Sequence, residues 1–294
     1  MNRASYRTAG AIAACGLWLV SVPVAAQVPV EAPAALVRRT VENELNASTD
    51  ASSFMFRARK ETPRGTQTRL YVQTRDATAG MLVAVNDQPI TPEQQAGEED
   101  HLQSLVRNPD ELKRKRKQER EDAERIRRIV RAMPDAFLYE YEGTEKGTAQ
   151  IGRAGDTLLR LRFSPNPDYD PPSRVEQVLT GMKGNVLIDP VKCRIARIDG
   201  ALYREVSFGW GIFGHLDKGG HFLVEQAEVA DSHWDVTHMN LSFTGKILLF
   251  KSLNIKSNEV YSKFQRVPAD LTFAQGVEML KKEVASSNRS LGGQ

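Results

Sequence analysis

The chain has little cysteine, few aromatic residues and almost no excess of charge. Its 294 residues include two cysteines and 7% aromatic residues, and 40 Lys and Arg stand against 37 Asp and Glu. Two cysteines exclude a disulfide-dense scaffold, and a net charge of +3 excludes a strongly basic nucleic-acid binder. A hydrophobic content of 40% excludes a disordered chain. These counts describe a folded protein that is long enough to bury a sizeable core.

Long hydrophobic runs are scarce, and one of them opens the chain. Arg3 and Arg7 precede an apolar stretch from Ala9 to Val24, and Val24-Ala25-Ala26 supplies the small residues that a signal peptidase recognises. The run is shorter than the roughly 20 residues of a membrane-spanning helix. We therefore predict a secretory signal peptide over 1–26, a periplasmic or secreted location, and no transmembrane segment in the mature chain.

Cysteine content changes once this signal is removed. Ile12-Ala13-Ala14-Cys15 resembles the lipobox of bacterial lipoproteins, so lipidation of Cys15 is the alternative to simple cleavage. Removal of Arg3 and Arg7 leaves 38 basic and 37 acidic residues, and Cys193 is then the only cysteine. No intramolecular disulfide is expected, and Cys193 is predicted to be a small strand residue rather than a reactive thiol.

Helical signals dominate the first half. Apolar residues at helical spacing predict a short helix over 33–45, within an N-terminal segment of residues 27–52. Thr91-Pro92-Glu93-Gln94 is a capping box, and Asn108-Pro109 repeats the same logic. These caps predict helices over 92–107 and 109–132. Together they form a charged helical insertion, 92–132, in a single domain of residues 53–286.

Strand signals dominate the second half. Early strands are predicted over 54–60, 66–74 and 81–85, and Met133-Pro134-Asp135 is predicted to end the helical region. Further strands are predicted over 136–141 and 157–163, and a short helix is predicted from Ser173 to about Gly181. Six or seven strands then follow, over 184–189, 194–203, 204–208, 221–230, 233–243, 246–256 and 259–266. Because strands without intervening helices pair antiparallel, the sequence predicts an α+β protein, with a last helix over 272–286 and a disordered tail over 287–294.

The only charge run lies in the helix predicted over 109–132. Lys113 to Lys117 are five consecutive bases, followed by interleaved acids. The run could be an anionic-lipid or nucleic-acid patch, or a solvated helix face with i,i+4 ion pairs. The acids favour the solvated face over nucleic acid, with burial on one side by Leu112, Ala123, Ile126 and Val130. Contact of this helix with a membrane surface stays open.

The motifs that could indicate catalysis or metal binding lack the sequence context that such sites require. Gly209-Trp210-Gly211-Ile212-Phe213-Gly214 matches the dinucleotide fingerprint, but a glycine-rich stretch follows it where a helix is needed. His215, His221, His233 and His238 fall within 24 residues, which raises the question of zinc. His233 and His238 are five residues apart on a predicted strand and so lie on opposite faces, which argues against a metal site. Asp168 and Asp170 lie in an exposed proline-rich loop. We predict no catalytic residue, no metal and no cofactor; a hydrolase that uses these aspartates or histidines is the minor alternative.

Apolar residues are concentrated in the late strands. Two interpretations are open: an ordinary core buried on both faces of a sheet, or an apolar cavity between sheet and helices that takes a lipid-like ligand. The residues predicted to line such a cavity are Phe208, Trp210, Phe213, Phe222, Trp234, Met239 and Phe243.

One motif resembles a known family. Val186-Leu187-Ile188-Asp189-Pro190 followed by Arg194-Ile195-Ala196-Arg197-Ile198 forms a strand, an Asp-Pro turn and a strand, as in the periplasmic lipoprotein-carrier (LolA/LolB-like) superfamily. The resemblance extends over about 33–267 and implies a curved antiparallel half-barrel with helices on its concave face and a cavity for acyl chains. Asn86-Asp87-Gln88-Pro89, Gly209-Trp210-Gly211 and Leu249-Phe250-Lys251 also look like a family of uncharacterised exported bacterial proteins.

Together these features predict an exported envelope protein that is not an enzyme. It would bind a hydrophobic lipid or acyl ligand, or an envelope partner. The alternative from another class is a structural or interaction module whose cavity is filled by its own side chains.

Overall fold

A computed structural model describes residues 31–48, 52–209, 214–230, 232–247 and 251–291. The predicted signal peptide with Cys15 lies outside the described residues, as do Trp210 and Phe213. The helices are α1 (Pro33–Ala47), α2 (Pro92–Arg107), α3 (Pro109–Ala136), α4 (Arg174–Gln177) and α5 (Phe273–Leu291), and a 3-10 turn spans Val178–Gly181. Among the described residues, no helix combines the length and apolar character needed to cross a bilayer.

Thirteen strands lie in the described part of the chain. They are β1 (Ser53–Thr62), β2 (Gly65–Val72), β3 (Ala79–Val85), β4 (Gln88–Pro89), β5 (Phe137–Lys146), β6 (Thr157–Pro165), β7 (Met182–Asp189), β8 (Arg194–Leu202), β9 (Val206–Phe208), β10 (Gly214–Leu216), β11 (His221–Ala230), β12 (His233–Ile247) and β13 (Lys251–Val267).

These strands form one curved sheet that does not close on itself. The spatial order is β4-β3-β2-β1-β13-β12-β11-β8-β7-β6-β5, and the short strands β9 and β10 extend from β12. Every pair of named strands is antiparallel. The predicted α+β class and curved antiparallel sheet with packed helices are confirmed.

Helices cover the two flanks of the sheet. One hydrophobic cluster, the first core, joins α1 and the end of α3 to β5–β8 through residues such as Val37, Met133 and Phe163. The second core joins α2 and α5 to β1–β3 through Leu102, Met81 and similar residues. The central strands β11, β12 and β13 lie between these flanks in the strand order.

Local capping signals are satisfied as predicted. Thr91 Oγ1 accepts from the Gln94 amide at 3.3 Å, and Gln94 Oε1 accepts from the Thr91 amide at 2.9 Å. Asn108 Oδ1 accepts from the Glu111 amide at 3.3 Å at the start of α3. These bonds satisfy amide groups that have no partner inside the helix, which is why α2 and α3 begin where they do.

The Asp-Pro turn joins β7 to β8 as predicted. Asp189 is buried, and its Oδ1 accepts from the amides of Val191 and Lys192 at 2.9 and 2.8 Å. Cys193 lies in this turn with a positive φ of 51°, not in a strand as predicted, and Arg39 donates to its Sγ. The turn needs a left-handed residue at this position, which a strand pattern does not reveal.

Several predicted boundaries were wrong. Helix α3 continues through Pro134 to Ala136, because Met133, Pro134 and Ala136 are buried and their packing compensates the lost hydrogen bond near the helix end. Of the strands predicted over 246–256 and 259–266, residues 251–256 and 259–266 form one strand, β13, whereas Lys246 and Ile247 end β12. Strand β10 was not predicted, and α5 extends to Leu291, into the predicted disordered tail.

The middle of α3 does not use the predicted apolar side. Ile126 is 63% exposed and Ala123 is exposed, whereas Glu119 accepts from the Thr78 amide at 3.0 Å and Arg127 donates to the Ser48 carbonyl at 3.1 Å. Polar contacts therefore hold the centre of the helix, and apolar contacts hold its ends. The i,i+4 pairs Lys115–Glu119 and Lys117–Glu121 form, as the solvated-face interpretation predicts. Membrane contact stays a prediction.

Candidate functional site

Six apolar side chains form a continuous row across the central strands. Register pairs Phe222 with Leu241 and Val224 with Met239, and it pairs Phe243 with Ile255. Directly opposed residues of antiparallel strands share a face, as do residues two apart on one strand. We call this row the apolar strip. It consists of Phe222, Val224, Met239, Leu241, Phe243 and Ile255.

The apolar strip is only partly covered. Ile255 is 39% exposed, and the other five side chains have intermediate exposure. The helices pack mainly against β2, β3, β5 and β8, and Phe222 and Phe243 touch the edge of the first core. The strip is thus neither a closed core nor an isolated exposed residue.

The apolar strip ends on β13 in a partly buried polar cluster. Glu259 lies opposite Met239 on the same face. Its carboxylate accepts from the Ser257 hydroxyl at 2.8 Å and from the Tyr261 hydroxyl at 2.6 Å, and it pairs with Lys60 Nζ at 2.7 Å. A polar group with three partners thus borders the apolar row.

A small cavity opens beside this cluster. It has a volume of about 250 Å³ and is lined by Phe56, Ala58, Lys60, Gln67, Arg69, Tyr71, Thr78, Glu259 and Tyr261. Phe56 stacks on Tyr71, with ring centroids 5.4 Å apart. The cavity therefore combines aromatic walls with two cations and one carboxylate, next to the apolar strip.

Electrostatics in the cluster follow from burial and hydrogen bonding. Burial opposes ionisation of Glu259, but the bonds from Lys60, Tyr261 and Ser257 hold the pKa of its carboxyl below the ordinary value. Burial, and the bond to the Glu259 carboxylate, raise the pKa of Tyr261. Burial likewise raises the pKa of Tyr71. At neutral pH the cluster holds an ionised Glu259 and two neutral phenols.

Glu259→Gln is expected to lower stability at neutral pH and to lose that effect in acid. A carboxyl whose pKa is lowered on folding stabilises the folded state above its unfolded pKa, here near 4.5, and this contribution vanishes as the pH falls through the folded pKa. Hydrogen bonds to a charged group contribute about 1.5–3 kcal/mol. Urea unfolding of the wild type and the variant from pH 3 to pH 7 measures the difference. The control is Glu61→Gln, which removes an exposed carboxylate from the neighbouring strand β1. A constant difference across this range would contradict the assignment.

Comparisons with known proteins find little. No family model and no curated protein matches the chain. Among solved structures, the chain is similar to a DUF1329 family protein from Desulfovibrio piger, with 10% sequence identity and a TM-score of 0.29. The similarity covers 83% of this chain and 97% of that chain.

Most of the described residues that were predicted to line a cavity lie near the strip. Phe222, Met239 and Phe243 belong to it, and Phe208 packs against the first core beside Phe222 and Phe243. Ile255 and Glu259 were not predicted as site residues. The alternation along β13 contains them, but only the pairing of β13 with β12 shows which face they share.

Trp234 lies apart from the others. It is 5% exposed and packs in a third cluster with Leu158, Leu187 and Ala196, and the Arg194 guanidinium lies 5.6 Å from its ring centroid. A separate cavity of about 380 Å³ next to Trp234 is mainly polar, with Glu44, Arg194 and His233 in its lining. Trp234 is therefore a core residue at a polar cavity and not part of the apolar strip.

The histidines do not converge on one centre. Each of four histidines lies near a different carboxylate: His215 near Asp217, His221 near Asp199, His233 near Asp235, and His238 at 3.0 Å from Glu225. The glycine-rich motif is followed by strand β10 and not by a helix, so the reason for rejecting a nucleotide site holds.

Proposed function

We propose that the chain is an exported envelope protein that binds the acyl part of a lipid along the apolar strip, without catalysis. The observation that carries this proposal is the in-register row of six half-buried apolar side chains on β11, β12 and β13. An acyl chain needs apolar area and no specific polar partner, and this row offers carbon and thioether surface with no nucleophile.

The dimensions of the strip favour a lipid over a protein partner. Met239 to Phe243 spans about 14 Å along the strand, and three strands span about 10 Å across. A stable protein interface buries about 800 Å² on each partner, several times the roughly 140 Å² of this row. Burial of the row at about 25 cal/mol per Å² stabilises a complex by about 3–4 kcal/mol. Micromolar affinity requires about 8 kcal/mol, so contacts outside the row must supply the remainder.

The polar cluster supports an amphiphilic ligand. Lys60, Glu259 and Tyr261 lie at the border of the strip, and the cavity of about 250 Å³ is next to them. A ligand with its acyl chain on the strip would place its polar part at this end. Lys60 and Arg69 are the cations that would face it.

Lipid mass spectrometry on protein purified from a bacterial periplasm tests the proposal. We expect acyl species to co-purify with the folded chain and to exchange with added fatty acid. Protein that carries none, and that does not bind a fluorescent fatty acid after delipidation, would instead support the structural module with a filled core. Cell fractionation of the same strain tests the predicted export.

A further inference from the structure

The ribbon of β9 and β10 has one apolar and one polar side. Val206 lies opposite Leu216, and Ser207 lies opposite His215. Val206 is 4% exposed, and Leu216 packs against the first core. The alternate residues Ser207 and His215 therefore point to the other side.

Two carboxylates join His215 on this polar side. Glu205 precedes β9 and Asp217 follows β10, so each is two residues from Ser207 or His215. One potential ligand atom from each of Glu205, His215 and Asp217 lies within 4.8 Å of the other two. His215 Nε2 is 3.3 Å from Asp217 Oδ1. Two ligands that bind zinc tetrahedrally at about 2.1 Å are about 3.4 Å apart, so this pair already has ligand spacing.

The donor set selects the class of metal. One imidazole nitrogen with two carboxylate oxygens suits Zn²⁺ and similar first-row ions, whereas Ca²⁺ and Mg²⁺ prefer oxygen alone. The Ser207 hydroxyl donates to Glu205 Oε1 at 2.8 Å, which orients that carboxylate as outer-shell groups do in metal sites. Three protein ligands leave a fourth position for water or for an external ligand.

The charged groups around the cluster include carboxylates that attract a cation and lysines that repel it. Two carboxylates at neighbouring positions of a ribbon repel each other, and a divalent ion would neutralise them. Lys246 lies opposite His215 on β12, and Lys218 follows Asp217; both are exposed. Arg204 donates to the Thr180 carbonyl at 2.8 Å and so is engaged elsewhere. Because Lys246 and Lys218 are exposed, solvent screens their repulsion of a bound cation.

We propose that Glu205, His215 and Asp217 form a zinc-class site that fastens the β9–β10 ribbon. This site lies apart from the apolar strip and does not depend on the proposed lipid function. It revises the expectation of no metal. That expectation rested on the spacing of His233 and His238 along one strand, whereas His215 meets Glu205 and Asp217 through the pairing of β9 with β10.

Calorimetric titration with ZnCl₂ tests the site. The protein is tag-free and has been treated with chelator and dialysed. We expect one equivalent to bind, an increase in thermal stability, and an affinity loss of about 100-fold or more in His215→Ala and in Asp217→Asn. His221→Ala is the matched control, because His221 Nε2 also lies near a single carboxylate, at 2.9 Å from Asp199 Oδ1. This control should bind zinc like the wild type.

Absence of binding to the wild type would overturn the proposal. So would an equal loss in His221→Ala, or full binding in His215→Ala. Circular dichroism and thermal unfolding without zinc show whether each variant is folded, and Asp217→Asn keeps the side-chain volume if His215→Ala fails to fold.

Discussion

Replacement of Ile255 by aspartate is expected to abolish acyl binding. Ile255 lies at the exposed end of the apolar strip, opposite Phe243, and is 39% exposed. A ligand can bury only this exposed part of the side chain, so loss of the apolar contact by itself costs about 0.6–1.2 kcal/mol, roughly a 3- to 8-fold loss of affinity. A carboxylate against an acyl chain adds a desolvation penalty, so we expect a loss beyond 100-fold. Titration with a fluorescent fatty acid measures the effect.

Val260→Asp is the matched control for this variant. Val260 lies on the same strand with 41% exposure, but it pairs with His238 and faces the other side of the sheet. Both substitutions place the same charge at an equally exposed position of β13. Both should therefore have similar, small effects on stability. Equal loss of binding in the two variants, or none in Ile255→Asp, would contradict the placement of the ligand on the strip.

Gly184→Ala is expected to be strongly destabilising. A Cβ at Gly184 would lie 1.9 Å from the Asp199 carbonyl oxygen and 2.7 Å from the Gly200 Cα, which are backbone atoms of β8. The pairing of β7 with β8 cannot widen at this point without the loss of ladder hydrogen bonds. Overpacking in a core costs typically about 1–3 kcal/mol, and contact with backbone places this variant at about 3 kcal/mol.

Glycine is needed at position 184 because of the residues that lie opposite one another across β6, β7, β8 and β11. Phe163 lies opposite Gly184, Gly184 opposite Gly200, and Gly200 opposite Phe222. A Cβ at Gly200 would meet the Phe222 ring at 2.4 Å and the Phe163 ring at 3.2 Å. Two glycines thus allow one phenyl ring of the first core and one of the apolar strip to approach over β7 and β8.

Gly97→Ala is expected to stabilise the protein, in contrast to Gly184→Ala. Gly97 lies inside α2, and a Cβ there would meet nothing within 4 Å. Alanine in a helix interior is favoured over glycine by about 0.5–1 kcal/mol. Urea unfolding should show a gain for Gly97→Ala and a loss for Gly184→Ala. A loss of less than 1 kcal/mol for Gly184→Ala would contradict the close approach of β7 and β8.

Local signals in the sequence determined most of the helices and strands. Thr91 and Asn108 mark the starts of α2 and α3 because their side chains bond amides three residues away, within one turn. Asp189 marks the β7–β8 turn for the same reason. Alternation with a period of two predicted most strands, since each strand buries one face. These features depend on neighbours a few residues apart, so the sequence alone is sufficient for them.

Tertiary structure decided which strands are neighbours and which faces they share. β1 pairs with β13 across about 200 residues, which places Lys60 against Glu259 and the polar cluster beside the apolar strip. Trp234, predicted to lie with Phe222, joins a different cluster, and Ile255 joins the strip instead. Register between distant strands depends on the packing of both partners and moves every side chain to the other face when it shifts by one residue. For this reason Phe222, Met239 and Phe243 could be named from the sequence, but their assembly into one row, and the addition of Ile255 and Glu259, required the fold.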